Sequence, residues 1–185
     1  TPDFSRVLVR TDGNQDSGTW YLVDMATMHA DAIGYERQAI GPEWVGKIST
    51  IQYKAGDGLA LDGILTLPPN RDPKNLPVVV FPHGGPHAYD SEEFDWWAQA
   101  FASRGYAVFQ PNFRGSTNKE ETFMRAGFGQ WGKAMQTDIS DGLAELAKRG
   151  IVDPKRACIM GGSYGGYAAL AGVTLQHGIY RCAVA

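Results

Sequence analysis

From residue 76 to the C-terminus, buried-strand runs alternate with amphipathic helical stretches, and this alternation restricts the fold more than any other feature of the 185-residue chain. Val78-Val79-Val80-Phe81 is a continuous β-branched and aromatic run, the pattern of a strand covered on both faces. Ser91 is a candidate N-cap for the helix that follows. Phe94, Trp97, Ala98 and Phe101 recur at helical spacing, and Gly105 stands where a left-handed residue would end it. Tyr106-Ala107-Val108-Phe109 reads as a second buried strand. Ile139, Leu143, Leu146 and Ala147 then mark one stripe of a second helix, ending at Gly150. Asp153-Pro154 is expected to turn the chain into a third strand, Ala157-Cys158-Ile159-Met160. A helix with Ala168, Ala169 and Leu170 comes next, and Cys182 to Ala185 begins a fourth strand. The pattern predicts an α/β domain with a parallel sheet wound by crossover helices. Ligands in such sheets sit beyond the carboxyl ends of the strands. Chemistry is therefore expected just after Phe81, Phe109 and Met160.

The first part of the chain reads differently. Val7-Leu8-Val9 and Trp20-Tyr21-Leu22-Val23 are rich in β-formers, and Asp12-Gly13-Asn14 and Ser17-Gly18 are turn formers. A few short strands cannot bury a core alone, so this stretch is expected to belong to a larger all-β unit. Ile40-Gly41-Pro42 reads as a joint, which divides the chain into an all-β segment, 1–45, and an α/β part, 46–185. A hairpin opens the second part: Ser49, Ile51 and Tyr53 alternate, Gly56-Asp57-Gly58 turns, and Leu59, Leu61, Leu65 and Leu67 share the returning face.

Composition removes several classes. Hydrophobic residues at 43% and charged residues at 20% are those of a globular chain. Seventeen Lys+Arg against twenty Asp+Glu give a formal charge of −3, with no basic footprint for nucleic acid and no cationic cluster for a membrane surface. The strongest apolar run, Leu76 to Pro82, is far short of the roughly 18 residues that span a bilayer. Cys158 and Cys182 supply neither a disulfide framework nor zinc-ligand spacing, and are expected to pack as small apolar groups on adjacent strands. The chain starts at Thr1-Pro2 with no signal segment and stops on the apolar run Tyr180 to Ala185. We therefore expect a piece of a longer protein.

After Met160 comes Gly161-Gly162-Ser163-Tyr164-Gly165-Gly166, a Gly-x-Ser-x-Gly match between strand and helix. A nucleophilic serine must sit on a turn sharp enough to lift its hydroxyl clear of the backbone. Such a turn strains the serine and leaves no room for side chains two residues to either side. Glycine at 161 and 165 meets that need. The helix that starts there aims unpaired N–H groups at the site, and the Tyr164 amide is placed to receive an oxyanion. A flexible linker is excluded by the regular apolar flanks. A phosphate loop fails because Tyr167-Ala168 stands where Lys-Ser/Thr is required, and no dinucleotide fingerprint can be drawn. After Phe81 comes Pro82-His83-Gly84-Gly85-Pro86-His87, whose glycine pair lets backbone approach a ligand closely. This loop is where a hydrolase of this architecture presents its second oxyanion donor. Gly85 N–H is the candidate.

Gly-Gly-Ser-Tyr-Gly-Gly-Tyr, His-Gly-Gly-Pro and Asn112-Phe113-Arg114-Gly115-Ser116-Thr117 together resemble the prolyl oligopeptidase family of serine peptidases, in its acylaminoacyl-peptidase and dipeptidyl-peptidase-like branch. The resemblance implies that residues 1–45 end a β-propeller and that 46–185 form the N-terminal part of an α/β-hydrolase domain. It further implies a serine-type peptidase acting on short peptides through an acyl-enzyme on Ser163. Tyr164 and Gly85 would form the oxyanion hole, and Tyr164 would also line the pocket beside the scissile bond. No metal and no organic cofactor are implied, and an oligomer is compatible. Asn118-Lys119-Glu120 departs from the Gly/Tyr-rich turn more usual in the family, so no role is carried onto it.

A serine hydroxyl also needs a base, and a carboxylate to orient that base. Only His177 follows Ser163, at the far end of the next helix, roughly 20 Å away at about 1.5 Å per residue. The catalytic Asp and His are thus expected beyond Ala185. His83 is expected to fix its loop by hydrogen bonds, His87 to line the pocket or the surface, and His29 to sit in a turn. Asp138 and Asp141 are expected to be solvated or capping, and Trp96-Trp97 to pack a helix. Arg114 is either a substrate-facing charge or half of a structural ion pair. A carboxylesterase of the same fold, or a scaffold without chemistry, are the alternative functions.

Overall fold

The computed structural model describes residues 2–185 and contains two sheets. β1 (Arg6–Gly13), β2 (Asp16–Asp24) and β3 (His29–Tyr35) form an antiparallel meander. Asn14-Gln15 makes the first turn, with Gln15 in the left-handed region at φ 63°. Asp24 makes the second by accepting the amides of Ala26 and Thr27, both at 3.0 Å. Ser17-Gly18, expected as a turn, lies inside β2, because the tighter corner is already supplied by Asn14-Gln15.

The second sheet has six strands: β4 (Lys47–Lys54), β5 (Ala60–Leu67), β6 (Leu76–Val80), β7 (Ala107–Asn112), β8 (Val152–Met160) and β9 (Cys182–Val184). Their spatial order is β4-β5-β7-β6-β8-β9. β4 and β5 pair antiparallel, as do β5 and β7, and every later neighbour is parallel. This mixed α/β arrangement is that of an α/β-hydrolase-like domain. The helices are α1 (Trp96–Ala102), a short α2 (Glu121–Arg125), α3 (Ala134–Lys148) and α4 (Tyr164–Thr174). The core lies between sheet and helices, where Leu61, Leu65, Val78, Val80, Phe109, Ile139, Leu146 and Ile159 are all buried. Burying each of these side chains contributes about 1.5–3 kcal/mol.

From β6 the chain moves first to β7 on one side and then to β8 on the other. The strand order therefore reverses at β6, the kind of position beyond whose strand ends ligands sit in an α/β sheet. The loops leaving β6 and β8 carry His83-Gly84-Gly85-Pro86 and Gly161-Gly162-Ser163.

Several local expectations are corrected. Helix α1 starts at Trp96 rather than near Ser91, because Asp95 is the N-cap and accepts from Ala98 N at 2.9 Å. Trp96 and Trp97 are exposed and lean on each other at 4.7 Å; the buried face of α1 is Ala98, Gln99 and Ala102. Asp153-Pro154 belongs to β8 rather than to a turn before it. Cys158 and Cys182 are joined in a disulfide. They are register partners on parallel strands with Cα atoms 4.7 Å apart, inside the range a disulfide spans. Strand periodicity placed both cysteines on adjacent strands but carries no information about register.

The two sheets touch through specific bonds. The Asn14 side chain accepts from Ile48 N at 2.7 Å and donates to Ile48 O at 2.9 Å. The Arg37 guanidinium lies 4.6 Å above the ring of Phe94.

Candidate active site

Ser163 occupies the corner between β8 and α4 at φ 55° and ψ −123°, a region that non-glycine residues rarely adopt. It is exposed, and its hydroxyl caps no helix amide. The close approach that produces this corner needs glycine on both sides. A Cβ on Gly161 would lie 2.5 Å from the carbonyl carbon of Gly165, and one on Gly165 would collide with Pro82 O. β9 steadies the same corner, since Gly161 N donates to Val184 O at 3.0 Å. Tyr164 is the first residue of α4, so its N–H has no acceptor within the helix.

The loop after β6 lies directly against the corner. A Cβ on Gly84 would stand 3.4 Å from Ser163 Cβ and 3.9 Å from its Oγ. Gly85 has φ 116° and a Cβ there would meet His87 N at 2.7 Å, so the position demands glycine. His83 holds this loop as the sequence suggested. Its Nδ1 lies 2.8 Å from Gly84 O and its Nε2 lies 2.9 Å from Ser116 Oγ, while the ring stacks on Phe113 at 4.5 Å. A carbonyl only accepts, so Nδ1 carries the hydrogen. Burial pushes the His83 pKa below the usual imidazole value, partly offset by the bond to Gly84, and Nε2 faces the Ser116 hydroxyl, which donates to Phe113 O at 2.7 Å. Fixing Gly84 O also fixes the direction of Gly85 N–H, because the two belong to one peptide plane and point opposite ways.

The remaining predicted residues fall into two groups. The backbone of Tyr164 is at the corner, but its ring is buried against Phe113, Trp131 and Tyr167, and its hydroxyl donates to Met135 Sδ at 3.8 Å. Burial raises its phenol above the ordinary value. His87 is exposed, with Nδ1 3.0 Å from Gly115 O and its ring edge-on to Phe128. Arg114 is the ion pair of the two readings. It gives Nε and Nη2 to the two oxygens of Asp138, both at 2.8 Å, and Nη1 to Asp57 at 2.8 Å. Asp138 is fully buried, which corrects its expected solvated role: α3 turns it inward onto a guanidinium and a backbone amide. His177 is exposed beyond α4. Ser116 and Asn112 were named in the sequence only as part of the Asn112–Thr117 motif, with no role assigned, and Trp131 was not named at all.

Among the described residues no group of three or more His, Cys, Asp or Glu is placed to hold a metal ion, and no helix is long and apolar enough to cross a membrane. A cavity of about 680 Å³ beside Asn14, Pro42 and Pro68 has no residue of the corner in its wall. A smaller one, about 280 Å³, includes Gly84 and Gly162.

The sequence profile of the prolyl oligopeptidase family matches residues 92–185. Dipeptidyl aminopeptidase BIII of Pseudoxanthomonas mexicana is 37% identical over 156 residues, covering 80% of this chain and 22% of that protein. The acylamino-acid-releasing enzyme of Sus scrofa is 32% identical over 156 residues, covering 84% and 20% respectively. Among solved structures, a puromycin-hydrolyzing peptidase of Mycobacterium tuberculosis superposes with a TM-score of 0.84 at 26% identity, over 97% of this chain and 28% of that one. Pyrococcus horikoshii acylaminoacyl peptidase gives 0.77 at 27% identity, over 95% and 28%. The chain thus spans about a quarter of the length of the proteins it resembles.

Proposed function

The chain belongs to the prolyl oligopeptidase family, and from that premise we propose that it is the nucleophile-bearing part of a serine peptidase acting on short peptides. Ser163 attacks the scissile carbonyl, the amine leaves, and water hydrolyses the acyl-enzyme. The amides of Tyr164 and Gly85 receive the oxyanion, each donor being worth about 10²–10³ in kcat. The observation that carries this reading is the exposed Ser163 at φ 55°, facing the Gly84-Gly85 loop.

The base and its orienting carboxylate come from the part of the relatives' length that this chain does not span. His83 favours that assignment, because both of its ring nitrogens are already engaged. Residues 1–45, which include the antiparallel meander β1–β3, are the end of a β-propeller that admits only small substrates, and 46–185 are the N-terminal part of the hydrolase domain. Substrate lies over the rim formed by the two glycine loops, with His87 at its edge. The names of the relatives point to release of residues from a free or acylated N-terminus.

The test compares an aminoacyl anilide with a p-nitrophenyl ester on the complete enzyme. Turnover of the anilide that disappears in Ser163→Ala supports a peptidase. Turnover of the ester alone would support a carboxylesterase, and failure of a fluorophosphonate to label Ser163 would support a scaffold.

A further inference from the structure

The loop that carries Gly85 ends at Asp90 and is tied down along its length. His83 holds Gly84 O, and His87 Nδ1 lies 3.0 Å from Gly115 O. Thr117 N donates to Ala88 O at 3.0 Å. The Asn112 side chain accepts from Asp90 N at 2.9 Å and donates to Asp90 O at 3.0 Å. The carboxyl of Asp90 breaks this pattern of satisfied groups: its Oδ2 is buried without a hydrogen-bond partner. The residue lines the cavity of about 280 Å³ whose wall also includes His83, Gly84 and Gly162. One cavity is thus lined by Asp90, by two residues of the oxyanion loop and by the residue preceding Ser163.

The charges around Asp90 are of its own sign. Asp95 shares the cavity from the start of α1, and Glu93 lies just ahead of it in the chain. Gln110 of β7 is neutral and directs Nε2 toward Asp95 at 3.4 Å. Asn112 is neutral and reaches Asp62 of β5, whose charge is met by Lys119 at 2.9 Å. The His83 ring, in the same wall, is held below the usual imidazole pKa by burial. Burial and then Asp95, with a smaller push from Glu93, raise the Asp90 pKa to about 7, against a bond from Gln110. An ionised carboxylate here has a buried oxygen without a donor and repels two neighbours. The neutral acid removes that repulsion and the cost of a buried, unpaired charge.

We propose that Asp90 is a positioning residue for the oxyanion loop: as a neutral acid it lets the loop pack against the Ser163 corner, and on ionising it displaces Gly85 N–H from line. The role rests on the reading of Ser163 as nucleophile. Asp90 acts through the loop and does not touch the reacting atoms. Its consequence is an alkaline limb near neutral pH that does not come from the catalytic base.

The test is the pH dependence of fluorophosphonate labelling of Ser163 in the complete enzyme, native, Asp90→Asn and Asp95→Asn. The native rate should fall as pH rises through about 7. Asp90→Asn should lack that fall and hold the rate of the acid side to higher pH. Asp95→Asn keeps the helix cap, removes the repelling charge and should move the fall to lower pH. An alkaline limb shared unchanged by native and Asp90→Asn proteins, or absent from the native protein, would overturn the proposal. No labelling at any pH would instead overturn the reading of Ser163, and the role of Asp90 with it.

Discussion

His83 donates from Nδ1 to the carbonyl of Gly84 at 2.8 Å, and this bond orients the peptide from which Gly85 N–H emerges. Removing it leaves the glycine pair free to turn. His83→Ala should therefore lower kcat by about 10²–10³, the effect of losing one oxyanion donor, with KM changed much less. Steady-state kinetics on the complete enzyme measure this, and an equal rise in KM at constant kcat would contradict it.

The same histidine should tilt stability with pH. Its folded pKa lies below the ordinary value of about 6.5 because burial disfavours the charged ring. Below that value the unfolded chain takes up a proton that the folded chain refuses, so stability declines as pH falls from about 6.5 toward the lower folded pKa. Above about 6.5 the contribution is complete and flat. Urea midpoints across this window should slope less in His83→Asn than in the native protein.

Arg114 and Asp138 meet in the interior, and breaking that pair strands a buried charge. Arg114→Met should destabilise by about 3–5 kcal/mol, read from denaturant unfolding. Arg114→Met should leave KM for a short peptide nearly unchanged, since the guanidinium is held by Asp138 and Asp57. A large KM effect without a stability loss would restore the substrate-facing role.

The Cys158–Cys182 disulfide closes a loop of sequence separation 24. Constraint of the unfolded chain by such a loop is worth about 3 kcal/mol. Unfolding of the oxidised protein against the Cys158→Ser/Cys182→Ser double variant should show that difference. Equal midpoints would mean that the hydrogen bonds between β8 and β9 carry the junction alone.

What the sequence made legible was local. The Ser163 corner was readable because its geometry is dictated by residues within two positions, Gly161 and Gly165. The alternation of strand and helix was readable because each strand of a parallel pair must be followed by a crossover. The partner of Arg114 was not readable: Asp138 is reached through the register of α3 against β7. Nor was the pairing of Cys158 with Cys182, which depends on how two parallel strands align. The start of α1 was misplaced because Ser91 and Asp95 are both good caps, and only tertiary packing of Ala98 and Gln99 chooses between them. Asp90 carried no signal at all, since a carboxylate in a polar loop reads as solvated, and only the fold buries its Oδ2 without a partner.

The most direct measurement is mass-spectrometric mapping of a fluorophosphonate adduct on the complete enzyme. A single adduct on the peptide containing Ser163, absent from a folded Ser163→Ala variant, is the predicted result. An adduct on another residue, or labelling that persists in Ser163→Ala, would contradict the account.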